Sequence, residues 1–281
     1  MINKLIAKLY QVLPPKIRNS IGKSSLLKPL RDILLRSQGT FRETEVLVQR
    51  NYLNYFVNFH FFASIKTAAK AQKKGIENTI LRNSINLFRD LKTAQNNAII
   101  FDVGTNFGYL SLVWANSIAQ DGLVVAFEPN TNVFSSFKKS ISANNLKNIV
   151  QTSNLAVGKT NGKIQLFLGT TTSNTLEENG ETKGNAVSVE MVSLDSFISK
   201  KNFLRMDIIK IDVDGIELDI LEGAKELIEK FSPIFIVETN NDTRIIDFFW
   251  QRNYHVLDMA LNPYITGNSL PGNIFCIPNK K

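Results

Sequence analysis

Residues 99–111 contain the motif that most constrains the fold of this chain. They read Ile-Ile-Phe-Asp-Val-Gly-Thr-Asn-Phe-Gly-Tyr-Leu-Ser, so a short apolar run meets an acid and two glycines before an apolar-periodic segment. That order is typical of a strand, a tight turn and a helix, which together form a nucleotide pocket at the carboxyl end of a parallel strand. Gly104 permits backbone angles that a side chain forbids, and Gly108 would let a ligand approach the start of the helix.

The spacing Asp-x-Gly-x-x-x-Gly distinguishes this motif from dinucleotide-binding fingerprints. A pyrophosphate-binding turn reads Gly-x-Gly-x-x-Gly, whereas here Asp102 precedes the turn. An anion at this position suits an ammonium group better than a phosphate. The motif therefore favours S-adenosylmethionine (SAM) over a dinucleotide, and we expect Asp102 and the turn Gly104–Gly108, which includes Asn106, to hold the methionine moiety.

A second apolar run, residues 122–127, also ends in an acid, Glu128, which Pro129 follows. In doubly wound sheets the acid that closes the second strand accepts hydrogen bonds from the ribose hydroxyls, about 20 residues beyond the glycine turn. We expect Glu128 to bind the ribose, with Pro129 beside it in the cofactor site. Asn154, after the predicted third strand, would meet the adenine edge, or it is a turn residue that caps its own backbone.

The third motif narrows the family. Residues 210–217 read Lys-Ile-Asp-Val-Asp-Gly-Ile-Glu, and Leu-Glu-Gly-Ala follows at 221–224. With Phe-Asp-Val-Gly-Thr-Asn-Phe-Gly and Phe-Glu-Pro-Asn in the same order, the chain resembles the FkbM-type SAM-dependent methyltransferases over residues 75–240. Thr105 stands where the family more often has alanine, and Asp214 where it usually has glutamate.

The resemblance implies an α/β, Rossmann-like class I methyltransferase fold, and the alternation of apolar runs agrees with it. We expect a doubly wound, mostly parallel seven-stranded sheet with helices on both faces. Residues 163–168 and 186–192 alternate like a hairpin inserted before the fourth strand, joined by a polar linker, 169–184, long enough to be a mobile loop. The seven strands are expected near 98–103, 123–128, 148–152, 207–212, 233–238, 254–258 and 273–277.

The chain is expected to consist of a basic helical N-terminal extension, residues 1–75, and a SAM-binding methyltransferase domain, residues 76–281. Residues 1–36 are predicted to form one or two helices interrupted at Pro14-Pro15 and around Gly22, with a loop at residues 37–40. Residues 43–72 are predicted to be helical up to a stop at Gly75, and residues 76–91 to form the helix that leads into the first strand.

The basic residues are concentrated near the N-terminus. Residues 1–95 hold 17 Lys and Arg against 5 Asp and Glu, whereas residues 96–281 hold 16 against 20. One interpretation is a solvated helical face, and another is peripheral contact with an anionic membrane through an apolar side formed by Ile2, Leu5, Ile6 and Leu9. A nucleic-acid partner is disfavoured, because the aromatic residues at 51–62 alternate with Asn rather than Arg or Lys.

Cysteine content and hydropathy bear on the compartment. The single cysteine, Cys276, excludes an intramolecular disulfide, and no apolar run approaches the length of a membrane span. Lysines interrupt the apolar N-terminus, which is not typical of a secretory signal. We expect a cytoplasmic protein, peripheral at the inner membrane surface if the membrane interpretation holds.

A hydroxyl acceptor calls for a positioned base, and the candidates are Asp212, Asp214 and Glu217. Asp212 and Asp214 point the same way if the strand continues to them, and two like charges would raise the pKa of one. Alternatively, Asp214 lies in a turn and Glu217 starts a helix. Both histidines, His60 and His255, are expected to be structural. A divalent metal held by oxygen ligands from Asp212, Glu238, Asn240 and Asn241 is chemically feasible but not expected.

These observations favour a SAM-dependent O-methyltransferase. The resemblance implies a small-molecule or glycan acceptor, and a sugar hydroxyl is the favoured one. The alternative from a different class is a non-catalytic, methyltransferase-like binding or scaffold protein. A nucleic-acid methyltransferase is less favoured, because amino-methylating enzymes carry an Asp/Asn-Pro-Pro-aromatic element where this chain has Asp-Val-Asp-Gly.

Overall fold

The structure is a computed structural model that describes residues 2–14, 17, 24, 27–37, 40–91, 95–168, 174–175 and 186–279. The elements before the first core strand are α1 (Ile2–Val12), α2 (Lys28–Leu35), β1 (Arg36–Ser37), β2 (Thr40–Phe41), β3 (Glu43–Tyr52), β4 (Tyr55–Ser64), α3 (Ile65–Lys74) and α4 (Asn78–Leu91). Those that follow, up to the inserted strands, are β5 (Ile99–Val103), α5 (Tyr109–Ala115), β6 (Leu123–Phe127), α6 (Thr131–Ala143), β7 (Val150–Ser153), β8 (Ala156–Val157), β9 (Gly162–Leu168), β10 (Asn174–Thr175) and β11 (Ala186–Val192). The last group is α7 (Leu194–Ser199), β12 (Ile208–Ile211), α8 (Glu217–Glu222), α9 (Lys225–Phe231), β13 (Ile234–Glu238), α10 (Arg244–Trp250), β14 (Tyr254–Leu257) and β15 (Asn273–Pro278).

Seven strands form the central sheet, in the order β14-β15-β13-β12-β5-β6-β7. Neighbouring strands are parallel except β15, which is antiparallel to both β13 and β14. The doubly wound, mostly parallel seven-stranded sheet predicted from the sequence is confirmed, and each strand overlaps its predicted range. Cys276 is a buried free thiol within β15, as a packing role requires.

The sheet is buried on both faces, which explains why its strands are continuous apolar runs. Alternate residues point to opposite faces. Ile100, Val124 and Ile208 belong to the hydrophobic cluster on one face, and Phe101 and Ile209 belong to the cluster on the other.

The predicted helix over residues 43–72 is wrong for most of its length. Residues 43–64 form an antiparallel hairpin, β3–β4, in which Val48 pairs with Phe59. The buried residues recur at every second position, which is the period of a strand and not of a helix; they are Val46, Val48, Val57, Phe59, Phe61 and Ala63. The N-terminal part is therefore not an all-helical extension.

Side chains of α6 cover the outer edge of this hairpin. The Phe62 amide donates to Ser140 Oγ at 2.9 Å, and the His60 amide donates to Asn144 Oδ1 at 2.8 Å, while Asn144 Nδ2 donates back to the His60 carbonyl at 2.7 Å. Pairing of an edge strand with side chains removes a site at which another chain could add.

The helices after the hairpin match their predictions more closely. Ser64 caps α3, because its hydroxyl accepts a hydrogen bond from the Thr67 amide at 3.2 Å, and α3 ends at Gly75 with φ of 77°. Its ψ is 174°, a combination with positive φ that only glycine adopts readily, so the predicted stop is confirmed. The helix predicted over 76–91 begins two residues later, at Asn78.

Two helices precede the hairpin, α1 and α2, in the described part of residues 1–36. Ala7 and Tyr10 of α1 pack against Ile65 and Ala69, whereas Leu5 and Leu9 are exposed. The predicted apolar side is therefore divided, because Ile6 contacts the cluster at Ile65. Ile2's side chain, Pro15 and Gly22 lie outside the described residues, as does the middle of the predicted 37–40 loop, whose ends pair as β1 and β2. Among the described helices, none has the length and apolarity of a membrane span.

The hairpin predicted before the fourth strand is present. β9 and β11 pair antiparallel, with Ile164 opposite Val189, and β8 pairs parallel to β11. Of the predicted mobile linker 169–184, only Asn174 and Thr175 are described, and they pair with β9. The division of the chain at residue 75 stays a prediction; Val48 and Phe59 share one hydrophobic cluster with Ile100 of the sheet.

Candidate functional site

A cavity of about 300 Å³ opens at the carboxyl edge of the central sheet, where ligands of doubly wound sheets bind. The N-terminal part contributes Phe61, Thr67, Ile76 and Glu77 to its wall. Of the residues predicted for the site, those on the wall are Asp102, Gly104, Asn106, Glu128, Pro129, Asp212 and Asp214. Gly108, Asn154 and Glu217 are not among the wall residues.

The glycine turn is tight for two different reasons. At Gly104, φ is 75° and a Cβ would collide with the Asp212 carbonyl oxygen, so this glycine allows β5 and β12 to end close together. At Gly108, φ is 79° and a Cβ would collide with the ring of Phe137. Gly108 therefore serves the packing of α5 against α6, and the expected approach of a ligand there stays a prediction.

Asp102 is fully buried, and only one of its two carboxylate oxygens accepts hydrogen bonds from the described residues. Its Oδ2 accepts hydrogen bonds from Ser111 Oγ at 2.5 Å and Thr105 Oγ1 at 2.8 Å. Its Oδ1 is buried and accepts no hydrogen bond from the described residues, although Lys210 Nζ lies 3.6 Å away. A buried acceptor without a donor costs stability, so this oxygen is suited to a ligand that brings a donor.

Lys210 links the carboxyl ends of β5 and β12, and it was not identified as a site residue from the sequence. Its Nζ donates to the Gly104 carbonyl at 3.0 Å and lies 3.2 Å from Asp212 Oδ2. Burial alone would lower its pKa, but Asp212 and Asp102 raise the pKa above its ordinary value. The signal was a lone lysine in the strand Ile-Ile-Lys-Ile, where a buried cation is expected only with partners.

Glu128 follows β6, which lies on the other side of β5 from β12, and it forms part of the cavity wall. Its Oε2 accepts from the Asn106 amide at 2.9 Å and its Oε1 from the Asn130 amide at 2.8 Å. Burial raises the pKa of Glu128 to about 7. Asn106 has φ of 53°, and its amide ties the glycine turn to the end of β6.

Asn154 supports this loop from outside the cavity. Its Nδ2 donates to the carbonyls of Glu128 at 2.8 Å and Pro129 at 3.0 Å. The next three residues, Leu155, Ala156 and Val157, do lie on the cavity wall. The role of Asn154 at an adenine edge stays a prediction.

The three candidate bases occupy different environments. β12 ends at Ile211, and Asp214 has φ of 65° in the turn that follows, so the same-face pair that a continued strand would give is not formed. Glu217 starts α8 and accepts from the Val213 and Gly215 amides at 3.1 Å. Asn240 Nδ2 also donates to Glu217 at 2.9 Å.

Asp212 instead pairs with Glu238 at the end of β13. Burial opposes ionisation of Asp212, but Lys210 and a hydrogen bond with Glu238 hold its pKa below the ordinary value. Burial, and then the charge of Asp212, raise the pKa of Glu238 to about 7. The two carboxyl groups therefore share protons near neutral pH.

The histidines lie elsewhere. His60 is exposed and pairs with Glu45 at 2.8 Å, and His255 is exposed on β14. In the described part of the chain, no three His, Cys, Asp or Glu side chains are grouped so that they could hold a metal ion.

The sheet order, its single antiparallel strand β15 and the cavity beside the glycine turn define a Rossmann-like, class I methyltransferase fold. A family model described as "Methyltransferase FkbM domain" matches residues 102–256, and the chain belongs to this family of SAM-dependent methyltransferases.

Individual proteins are more distantly similar. Methyltransferase 1 of Beauveria bassiana is 24% identical over 157 residues, which span 49% of this chain and 62% of that protein. The crystal structure of an FkbM methyltransferase from Methylobacillus flagellatus KT is 13% identical, with a TM-score of 0.46 over 75% of this chain and 54% of the other. An O-methyltransferase from Bacillus cereus, solved with S-adenosylhomocysteine (SAH), is 17% identical, with a TM-score of 0.44 over 76% of this chain and 87% of the other.

Proposed function

We propose that this protein transfers the methyl group of SAM to a hydroxyl oxygen of a small molecule or glycan, with a sugar hydroxyl as the favoured acceptor. The observation that carries the proposal is one cavity whose wall contains Asp102, the Gly104 turn and the Glu128 carboxylate, with Asp102 Oδ1 accepting no hydrogen bond from the described residues. These groups match the ammonium and ribose ends of SAM.

The donor would extend along the glycine turn. Asp102 Oδ1 would accept a hydrogen bond from the ammonium group of the methionine moiety. The free lone pairs of the Glu128 carboxylate would accept the ribose hydroxyls while the amides of Asn106 and Asn130 hold it in place. Leu155 and Ala156 offer an apolar surface for the adenine ring.

Asp212 is the proposed base. It lies on the cavity wall and contacts Lys210 and Glu238. As the acceptor oxygen bonds to the methyl carbon, the carbon–sulfur bond breaks with its electrons on sulfur, and the hydroxyl proton passes to Asp212. Glu238, with its pKa of about 7, would share that proton. Alignment of the two reactants supplies much of the remaining rate enhancement.

Calorimetry and turnover assays test the two halves of this proposal. SAM should bind the wild-type protein, and Asp212→Asn should retain the donor affinity while turnover falls. Mass spectrometry of lipid-linked and free saccharides, from cells with and without the gene, should reveal the methylated acceptor. Absence of SAM binding would refute the proposal, and binding without turnover on any saccharide pool would favour a non-catalytic binding protein.

A further inference from the structure

We propose that Glu77 makes the donor cavity prefer cationic SAM over SAH, the neutral thioether that remains after transfer. This inference rests on the proposed function. Glu77 lies upstream of residues 102–256, so it belongs to the part of the chain that the family model does not match.

The turn between α3 and α4 holds Glu77 in a defined position. Glu77 has φ of 48°, a left-handed conformation that costs energy for a residue with a Cβ. Asn78 Nδ2 donates to the Lys74 carbonyl at 2.8 Å, and Tyr52 donates to Asn78 Oδ1 at 2.8 Å. Tyr52 also shares a hydrogen bond of 3.0 Å with Tyr109. The hairpin and α5 therefore fix the turn that presents Glu77 to the cavity.

The carboxylate of Glu77 has no hydrogen-bond donor in the part of the chain that the structure describes. It lies on the cavity wall with Asp102, Lys210 and Asp212; burial raises the pKa of Glu77, and the charge of Lys210 opposes this shift. No donor from the described residues lies within hydrogen-bond distance of it, whereas Asp102 and Asp212 lie 3.6 and 3.2 Å from Lys210.

The charge of these groups suits a cationic ligand. Asp102 and Asp212 contact the ammonium group of Lys210, whereas Glu77 has no ion-pair partner among the described residues. A carboxylate without an ion-pair contact in a partly enclosed cavity attracts a cation more strongly than it would in open water. SAM and SAH share the ammonium group, the carboxylate, the ribose and the adenine, and they differ in the methyl group and the positive charge on sulfur. The attraction that helps to hold the donor is therefore lost once the methyl group has left, which favours release of the by-product.

Isothermal titration calorimetry with SAM and with SAH tests this inference without any acceptor. Glu77→Gln should weaken SAM binding about tenfold, equivalent to 1.4 kcal/mol, and change SAH binding less than twofold. Glu77→Asp, which keeps the charge, should retain most of the preference. Glu229→Gln removes an equal charge from an exposed residue of α9 and should behave like the wild-type protein.

Salt dependence provides a measurement that needs no variant. Because ions screen the attraction, the ratio of SAM to SAH affinity in the wild-type protein should fall as salt is raised. Equal weakening of both ligands by Glu77→Gln would assign Glu77 to the shared ammonium group and overturn the inference. Unchanged affinities, or a ratio independent of salt, would also overturn it. A wild-type protein that binds neither ligand would instead refute the proposed function.

Discussion

Two glutamates at the carboxyl edge of the sheet carry protons near neutral pH. Burial raises the pKa of Glu128 to about 7, and burial together with the charge of Asp212 raises the pKa of Glu238 to about 7. Each group therefore changes charge over a pH interval where an ordinary glutamate is fully ionised. Donor binding at Glu128 and folding stability at Glu238 should both depend on pH there.

Glu128 should make donor binding pH-dependent. An ionised carboxylate accepts ribose hydroxyls in charge-assisted hydrogen bonds, and a protonated one does so less well. SAM affinity should therefore fall as pH is lowered from about 8 to about 6. Glu128→Gln should weaken SAM binding at least tenfold, about 1.4 kcal/mol, at the higher pH and remove most of the pH dependence. Calorimetry at several pH values measures both, and an unchanged affinity at high pH would contradict the ribose assignment.

Glu238 should make stability pH-dependent in the opposite sense to a salt-bridged acid. Its folded-state pKa lies above the ordinary value of 4.5, so its contribution to stability is complete below that pH and is lost as pH rises through about 7. Glu238→Gln stays neutral, and its advantage over the wild-type protein should grow as pH rises. Urea unfolding at about pH 5 and about pH 8 measures this difference, with Glu229→Gln as the control. Parallel pH profiles for Glu238→Gln and the wild-type protein would rule out the shared proton.

At the scale of elements, the hairpin β3–β4 is part of the core. Phe59 is 1% exposed, and its ring packs edge-to-face on Phe61 at 6.3 Å and on Tyr109 of α5 at 5.7 Å. Such contacts join the hairpin to the helix that follows the glycine turn. The hairpin should therefore unfold with the sheet and not before it.

A matched pair of substitutions tests whether the hairpin β3–β4 belongs to the cooperative core. Phe59→Ala removes a buried ring and should cost about 3–5 kcal/mol of unfolding free energy. Phe56→Ala removes a ring from the same strand, where Phe56 is 61% exposed, and should cost less than about 0.5 kcal/mol. Urea denaturation followed by circular dichroism measures both. Equal, small effects would mean that the hairpin lies outside the cooperative core.

The core strands could be predicted because buried parallel strands are apolar runs that end at polar residues. Asp102, Glu128 and Asp212 follow or close such runs, and the carboxyl ends of parallel strands meet at one edge, so their convergence could be anticipated. The hairpin was missed because Leu47 interrupts the polar alternation between Val46 and Val48, and apolar residues also recur at helical spacing there. Glu77 could not be found from spacing, since only the packing of the hairpin and α4 brings its turn to the cavity.

At the scale of the whole molecule, the cavity is a joint product of two parts of the chain. The family model matches residues 102–256, yet Phe61, Thr67, Ile76 and Glu77 form part of the wall. The same upstream part carries the basic surplus of the protein. We therefore expect acceptor selection to depend on this upstream part as well as on the motifs of the sheet.

The exposed side of α1 should bind an anionic membrane surface. Leu5, Leu9 and Val12 are 60%, 58% and 83% exposed, and their spacing places them on one stripe of the helix. Residues 1–36 contain eight Lys and Arg and one Asp, a charge that anionic lipids attract.

The protein should sediment with vesicles that contain phosphatidylserine and not with neutral phosphatidylcholine vesicles. Serine at Leu5, Leu9 and Val12 should weaken sedimentation at least tenfold. Serine at Leu204 and Ile265, which are 94% and 65% exposed elsewhere, should leave it unchanged. Equal binding by both sets of variants would show that charge alone, and not the stripe on α1, attracts the protein to the membrane.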